Sequence, residues 1–200
     1  MHPHPSFRWE DRDAMRALVR EIAFGALFAG TPDGPRVAHA PAVWLDAGTL
    51  GLHIARGNGL ARHLKDTAAV FAVQGPDGYV SPDWYGLGGD QVPTWNYAAV
   101  ELEGRVTLMN EDGLVAQLDQ LAAEQEARLE KAPWTRDKMD EARFRALLRG
   151  IVGVRLEVVA WRGTLKLGQT KPDAIRLAAA DGLAGAGRHA IAGWMRSWQA

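Results

Sequence analysis

Val70 to Val106, reading VFAVQGPDGYVSPDWYGLGGDQVPTWNYAAVELEGRV, decides how this chain is read. Val70 to Gln74 and Trp95 to Leu102 have strand character, and the segment between them is rich in Gly, Pro and aromatic residues. A connection of that length without secondary structure of its own is uncommon in a compact domain and is usually functional or disordered. Tyr79, Trp84, Tyr85 and Trp95 argue against disorder, because disordered segments are poor in aromatics. The expectation is a binding loop held between two strands.

Upstream, Arg36 to Leu45 and Thr49 to Ala55 flank Asp46, Ala47 and Gly48, a short Gly-containing link of the kind that joins an antiparallel hairpin. If Leu45 opposes Thr49, then His39 opposes Ala55 and Pro41 opposes His53. Side chains alternate between sheet faces. This register therefore puts His39, His53 and Ala55 on one face and Leu50, Leu52 and Ile54 on the other. The hairpin leads into ARGNGLARHLK, Ala55 to Lys65, the most basic short segment in the chain and one expected to pass from a loop into a short helix.

The remaining elements follow from periodicity. Met15, Leu18, Val19 and Ile22 recur at helical spacing behind Glu10, Asp11 and Asp13, acids that favour a helix N-terminus. Phe24 to Ala29 reads as a strand, followed by turn chemistry at Thr31 to Pro35. Gly104 to Met109 extends the second strand of the opening stretch. Asp112 to Lys131 and Asp137 to Arg149 read as helices separated by Pro133, whose ring cannot continue a helix. Ile151 to Trp161 returns to strand alternation, with Leu165 to Leu167 as an extension, and the tail after Pro172 is helical.

Clustered strands with short links predict an α+β chain, mainly β with flanking helices. An antiparallel barrel is its natural form, since closure removes exposed strand edges. Neither a linker nor a charge run divides the 200 residues, so one domain is expected over 1–200, with a helical insertion at about 112–150 and a helical tail at about 173–200.

Composition narrows the function classes. With 47% apolar and 24% charged residues, the chain is that of a globular protein able to bury roughly 70% of its unfolded surface. A net charge of -1 gives no electrostatic reason to expect nucleic acid or an anionic membrane. The absence of cysteine excludes disulfides, thiolate metal sites and Cys nucleophiles, and fits a cytoplasmic protein. The N-terminus lacks an apolar signal region and no run approaches 18 apolar residues, so export and membrane spanning are not expected.

Three chemistries lack their motifs. No HExxH is present, and His39 with His53 would need a third ligand, so no metal is expected. Neither GxxxxGK[ST] nor GxGxxG occurs between a strand and a helix. Ser81 lacks the strand-turn-helix elbow of a catalytic serine, and no catalytic residue is identified. What remains is a basic Gly-containing turn after one strand and an aromatic-rich loop after the next. A cofactor carrying a phosphate and a large flat ring requires both a guanidinium with backbone N–H groups and a planar apolar cleft. A solvated basic turn beside a surface-packed aromatic cluster accounts for the same residues.

Five blocks carry a family resemblance: HIARGN at His53 to Asn58, QGPDGYVSPDWY at Gln74 to Tyr85, VPTWNYAAVELEG at Val92 to Gly104, IVGVRLEV at Ile151 to Val158, and KLGQTKP at Lys166 to Pro172. In this order they resemble the PaiB family of FMN-binding transcriptional regulators, a branch of the FMN-binding split β-barrels that includes pyridoxamine 5'-phosphate oxidases. The resemblance implies an antiparallel split barrel and a homodimer with FMN at its interface. It places Arg56, Asn58 and Lys65 near the phosphate and His39, Ala40, His53 and Ala55 along the cofactor. Trp95, Asn96 and Gln169 are implied to reach in from the other chain. Two departures stand out. KLGQTK replaces the family's KLSQNR, exchanging a bidentate guanidinium for the point charge of Lys171. Gly59 stands where the family has Pro, which loosens the turn.

The resemblance implies a regulator, with DNA as a partner on that ground alone. Its only basic helix candidate, Asp137 to Arg149, carries Lys138, Arg143, Arg145 and Arg149 among acids. The alternatives are an FMN-dependent oxidoreductase, with a small-molecule ligand near Tyr79, Trp84 and Tyr85 and His39 or His53 as proton donor, and a flavin or haem carrier without catalysis.

Overall fold

The computed structural model describes residues 3–198. In chain order the elements are β1 (Arg8–Trp9), α1 (Arg12–Ile22), β2 (Phe24–Thr31), β3 (Gly34–Trp44), β4 (Thr49–Ala55), β5 (Ala68–Val80), β6 (Thr94–Leu108), α2 (Glu111–Glu126), α3 (Glu141–Leu148), β7 (Ile151–Lys166), α4 (Asp173–Gly185) and α5 (His189–Ser197). The strands form one sheet in the order β1-β7-β4-β3-β2-β5-β6, and β6 also pairs with β7. β2, β3, β4 and β7 pair antiparallel with their neighbours, as β2 does with β5. The result is an antiparallel split barrel with flanking helices. Two compact units are distinguished, one of Arg16–Val73 with Glu101–Trp161 and the other of Met1–Met15, Gln74–Val100 and Arg162–Ala200.

In the first unit the strand alternation sorts side chains as the period of two requires. Ala38, Ala40, Ala42 and Trp44 of β3, Leu50, Leu52 and Ile54 of β4, and Leu27 and Ala29 of β2 are all buried. The alternate positions Phe24, Phe28, Val37 and His39 are exposed. Small residues line β3 where the interior is narrow, and Phe71, Leu102, Val154 and Leu156 fill it from other strands. A Cβ at Gly25 would lie 2.5 Å from the carbonyl oxygen of Ala72, and one at Gly104 would collide with the carbonyl oxygen of Glu157. Helix α2 packs over β3 and β4.

In the second unit β1 pairs with Gly163 and Thr164 of β7. Helices α4 and α5 pack together and bury Ala179, Ala180, Leu183, Ile191, Ala192 and Met195. Trp84 lies against Gly182 so closely that a Cβ there would enter the indole. Trp9 meets Trp194 edge-on at 6.0 Å.

The opening stretch differs from its expectation. β5 does not stop at Gln74 but continues to Val80, and Ser81 caps a 3-10 turn over Pro82–Tyr85. Gly86, at φ 62, ends that turn, and only residues 86–93 are irregular. Gly78 permits the longer strand, because a Cβ there would lie 2.7 Å from Leu183 and 3.2 Å from Ile191. That packing comes from a helix about a hundred residues away, so the local sequence does not announce it.

The hairpin register is correct at the turn, where Leu45 donates its N–H to the Thr49 carbonyl and Ala42 pairs with Leu52. The ladder stops there. His39 then pairs with Ala26 and Pro41 with Phe24, while His53 pairs with Gly153 and Ala55 with Ile151. The expected His39–Ala55 and Pro41–His53 pairs are replaced because β3 and β4 diverge to different neighbours. β6 is one strand across Gly104, and the expected helix from Asp137 begins only at Glu141. There Asp140 accepts the Arg143 N–H at 2.9 Å and caps the helix. Among the described residues no helix is long and apolar enough to cross a membrane.

Replacing Gly104 by Val is expected to destabilise the chain by about 1–3 kcal/mol, the usual cost of overpacking. It would appear as a lower urea midpoint with an unchanged slope; an unchanged midpoint would contradict the close β6–β7 approach.

Candidate functional site

The residues expected to bind a cofactor fall into two groups. His39, Ala40, His53, Ala55, Arg56, Asn58 and Lys65 belong to the unit built on β2, β3 and β4. Trp95, Asn96 and Gln169 belong to the other.

On the outer face of β2 and β3 the register sets Phe24 beside Pro41, Ala26 beside His39 and Phe28 beside Val37. Phe24, Phe28 and Val37 are 51%, 45% and 41% exposed. The Phe24 and His39 rings are nearly parallel, 13° apart in plane with centroids at 6.4 Å. This is an apolar, partly aromatic surface on which a flat ring could lie. Ala40 faces the opposite way, into the barrel, where it is fully buried. It offers only backbone to anything on the outer face.

His53 has a different environment although it shares the parity expected of that face. Its Nδ1 lies 3.2 Å from Oε1 of Gln117 in α2, an acceptor, so Nδ1 is the protonated nitrogen. Burial holds the His53 pKa below its ordinary value, and the Gln117 hydrogen bond opposes that shift only in part. Gln117 itself is fully buried, with its Nε2 lacking a hydrogen-bond partner.

The turn after β4 gathers the basic groups. Arg56 donates through Nε to the Arg149 carbonyl at 2.8 Å and through an Nη to the Ile151 carbonyl at 2.9 Å. These bonds fix the guanidinium against the start of β7. The Asn58 side chain accepts from the Leu60 N–H at 2.9 Å, which shapes the turn. A Cβ at Gly57 or Gly59 would meet nothing within 4 Å, so the backbone there is open to an approaching ligand. Lys65 is exposed, and Arg62 is drawn 3.7 Å from Asp33. The fixed guanidinium, open glycine backbone and aromatic face match what a phosphate-bearing flat cofactor requires.

In the other unit, Trp95 is 48% exposed, with its indole N–H donating to Asp77 at 2.9 Å and its ring edge-on to Tyr79 at 6.1 Å. Asn96 is buried and donates to the Met195 sulfur at 3.3 Å. Gln169 accepts from the Leu167 N–H at 2.7 Å and donates to the carbonyls of Ser6 and Leu165. Both amide side chains are thus engaged within their own chain. Of the three aromatics expected near a ligand, Trp84 packs on α4 and Tyr79 on Trp95. Tyr85 lines a cavity of about 240 Å³ with Lys166 and Lys171. The sequence reading placed a ligand near Tyr85 but did not join it to these lysines, whose significance depends on a cavity that spacing does not reveal. Among the described residues no cluster of three or more His, Asp or Glu is arranged to hold a metal.

Comparison with known proteins now fixes the family. Residues 1–160 match the family model described as "Putative FMN-binding domain". The chain belongs to this FMN-binding domain family. It is 28% identical over 169 residues to the protease synthase and sporulation protein PAI 2 of Bacillus subtilis, spanning 82% of this chain and 80% of that protein. The PaiB-like resemblance read from the five sequence blocks therefore holds, and FMN is the cofactor of the family. Two solved structures share the fold. The flavocytochrome Anf3 of Azotobacter vinelandii is 14% identical with a TM-score of 0.61, covering 84% of this chain and 73% of that one. The FAD and heme binding protein of Mycobacterium smegmatis is 18% identical with a TM-score of 0.56, covering 80% and 74%.

The His53 environment predicts a pH effect. Its folded pKa lies below the unfolded value near 6.5, so between the two the unfolded chain binds more protons and stability rises with pH. The contribution is complete above about pH 6.5 and is lost on acidification toward the folded pKa. Melting temperatures between pH 7.5 and 5 are expected to fall less steeply for His53→Gln than for the wild type; parallel profiles would rule His53 out as the source.

Proposed function

We propose that the chain is a cytoplasmic, FMN-binding homodimer of the PaiB-type regulator group, in which flavin occupancy conditions the dimer. One observation carries this reading: in a chain of the FMN-binding family, the outer face of β2 and β3 presents Phe24, Phe28 and Val37 to solvent beside His39. A contiguous apolar face of that kind favours burial against a second copy. FMN would lie along His39, Phe24 and Ala55, with its phosphate toward Arg56, Asn58, Lys65 and the open backbone at Gly57 and Gly59. His53, held under α2, and Ala40, inside the barrel, support the site from behind. When bound, FMN supplies electron and hydride transfer at its ring, and the protein's share is to hold and orient it. Trp95 is the group of its unit left exposed for a partner chain, since Asn96 and Gln169 are used internally.

The regulatory output is proposed to run through flavin or ligand occupancy and not through DNA contact by α3. Arg145 pairs with Glu111 at 2.7 Å and Glu141 at 2.8 Å, and Arg136 with Asp119 at 3.0 Å. Lys138 donates to the Pro133 carbonyl at 2.7 Å. Arg145 and Lys138 are thus engaged within the chain, which leaves Arg143 and Arg149 of the expected basic helix as a small cationic surface for phosphates.

The second reading, an FMN-dependent oxidoreductase, is favoured by His39. It is exposed on the proposed flavin face beside the Phe24 ring, whereas His53 is half-buried against Gln117 of α2. Reduction of bound flavin by NADH or NADPH, followed by turnover with an acceptor, would select this reading over the regulator.

The central test is the visible spectrum of the purified chain titrated with FMN, together with sizing. A dimer that binds one FMN per chain is expected. Arg56→Ala should weaken FMN at least tenfold, in line with loss of a charge-assisted contact. Phe28→Asp lies outside the core and should yield a folded monomer with impaired FMN binding. A colourless wild-type monomer indifferent to FMN would sink the proposal.

A further inference from the structure

The cavity of about 240 Å³ beneath the 86–93 segment holds a second cationic site that the flavin reading does not use. Lys166 and Lys171 both line it, and each is only partly exposed. Lys166 donates to the Thr94 hydroxyl and lies 5.6 Å from the Phe7 ring centroid. Lys171 donates to Gln91 Oε1 at 3.1 Å and lies 4.2 Å from the Tyr85 ring centroid. Among the described residues neither ammonium pairs with a carboxylate, although Asp90 lines the same cavity.

Two partly desolvated cations answered only by neutral oxygens and aromatic faces are an unbalanced arrangement. Burial lowers the pKa of Lys166, a shift that the charge of an entering anion would offset. Beneath them, Arg176 is 4% exposed, with its Nε unpartnered, and one of its Nη atoms bonds Asp173 at 2.9 Å. Its Cγ lies 3.7 Å from the position of a Cβ on Gly168, whose φ of +81 turns the backbone beside the cavity. Among the described residues no anion pairs with the lysines, and the cavity is large enough for a ligand of modest size.

The ring walls and Asp90 narrow the ligand class. Phe7 and Tyr85 offer flat apolar surfaces, which suit a planar or branched hydrocarbon body. The Asp90 carboxylate disfavours a second negative charge nearby, which selects a monoanion over a phosphate dianion. Lysine ammoniums bind single oxygens as point charges, so a carboxylate can bridge the two without a guanidinium fork.

We propose that this cavity is a binding site for a small monocarboxylate with an aromatic or branched apolar body, held by Lys166 and Lys171 between Phe7 and Tyr85. It is a site separate from the flavin, and it gives the chain a candidate effector or substrate position.

The test is isothermal titration of the full chain with sodium benzoate, sodium acetate and inorganic phosphate at matched ionic strength, with and without saturating FMN. Benzoate is expected to saturate at one site per chain, more tightly than acetate or phosphate, whether or not FMN is present. Lys166→Met and Lys171→Met should each weaken it at least tenfold while leaving the flavin titration unchanged; if the more buried Lys166→Met fails to fold, Lys171→Met alone decides. Absence of saturable benzoate binding, or equal binding by Lys171→Met, would overturn the proposal. Tighter binding of phosphate would overturn the carboxylate assignment, and benzoate displaced by FMN would show the cavity to be part of the cofactor site. Failure of the chain to bind FMN would count against the flavin reading alone, because the benzoate titration is run without it as well.

Discussion

The close approach of β6 to β7 at Gly104 is the constraint on which the barrel depends. Without a side chain there, the backbone can come up against the Glu157 carbonyl and the pairing of β6 with β7 can form. Once those strands are joined, β2, β3 and β4 must turn one face inward and the other out. Ala38, Ala40 and Ala42 are small because the inner face is crowded, while Phe24, Phe28 and Val37 are free to be large because the outer face is not. The same closure therefore sets both the core and the surface proposed to meet flavin and a second chain. Fold and site are two sides of one sheet.

Much of this was legible in the sequence because it depends on local rules. β4 ends where expected, at Ala55, and the Leu45–Thr49 turn contact forms as its length and Gly48 imply. The basic turn at Arg56 and the alternating spacing of aliphatics in β7 are visible by eye in one chain, as is the helical tail after Pro172. What escaped depended on distant partners. The far half of β5 is a strand because Leu183 and Ile191 pack over Gly78. β3 separates from β4 beyond Ala42 while keeping β2 on its other edge, and β4 runs on beside β7. Asp140 cut the expected basic helix short, and capping was the one local signal of this kind that a reading dominated by Lys and Arg passed over.

The family motifs were more informative than the physical pattern alone, and the departures from them have structural meaning. Lys171, in place of the family's arginine, does not make a bidentate contact but a single bond to Gln91 and a cation–π approach to Tyr85. That is the geometry expected of a compact ammonium. Gln169, flanked by the substituted Gly168 and Thr170, turns back on Leu165, Leu167 and Ser6 and serves the backbone. The segment thus carries a backbone-bracing amide beside a cation that makes single contacts.

His39 and His53 show how far environment, and not residue type, assigns a role. Both stand at positions of like parity on neighbouring strands, and spacing alone does not separate them. α2 separates them. It packs over β4, brings Gln117 to His53 Nδ1, and by burial lowers the pKa of that imidazole. β3 beyond Ala42 lies with β2 instead, and His39 remains in solvent against Phe24. A half-buried imidazole hydrogen-bonded to a neighbouring helix braces a structure and offers less of its ring to a ligand. An exposed one beside an apolar ring face has the opposite properties. If the flavin of this family lies on that face, His39 is the histidine that meets it and His53 the one that stiffens the strand behind, a division of labour created by a helix inserted more than fifty residues further along the chain.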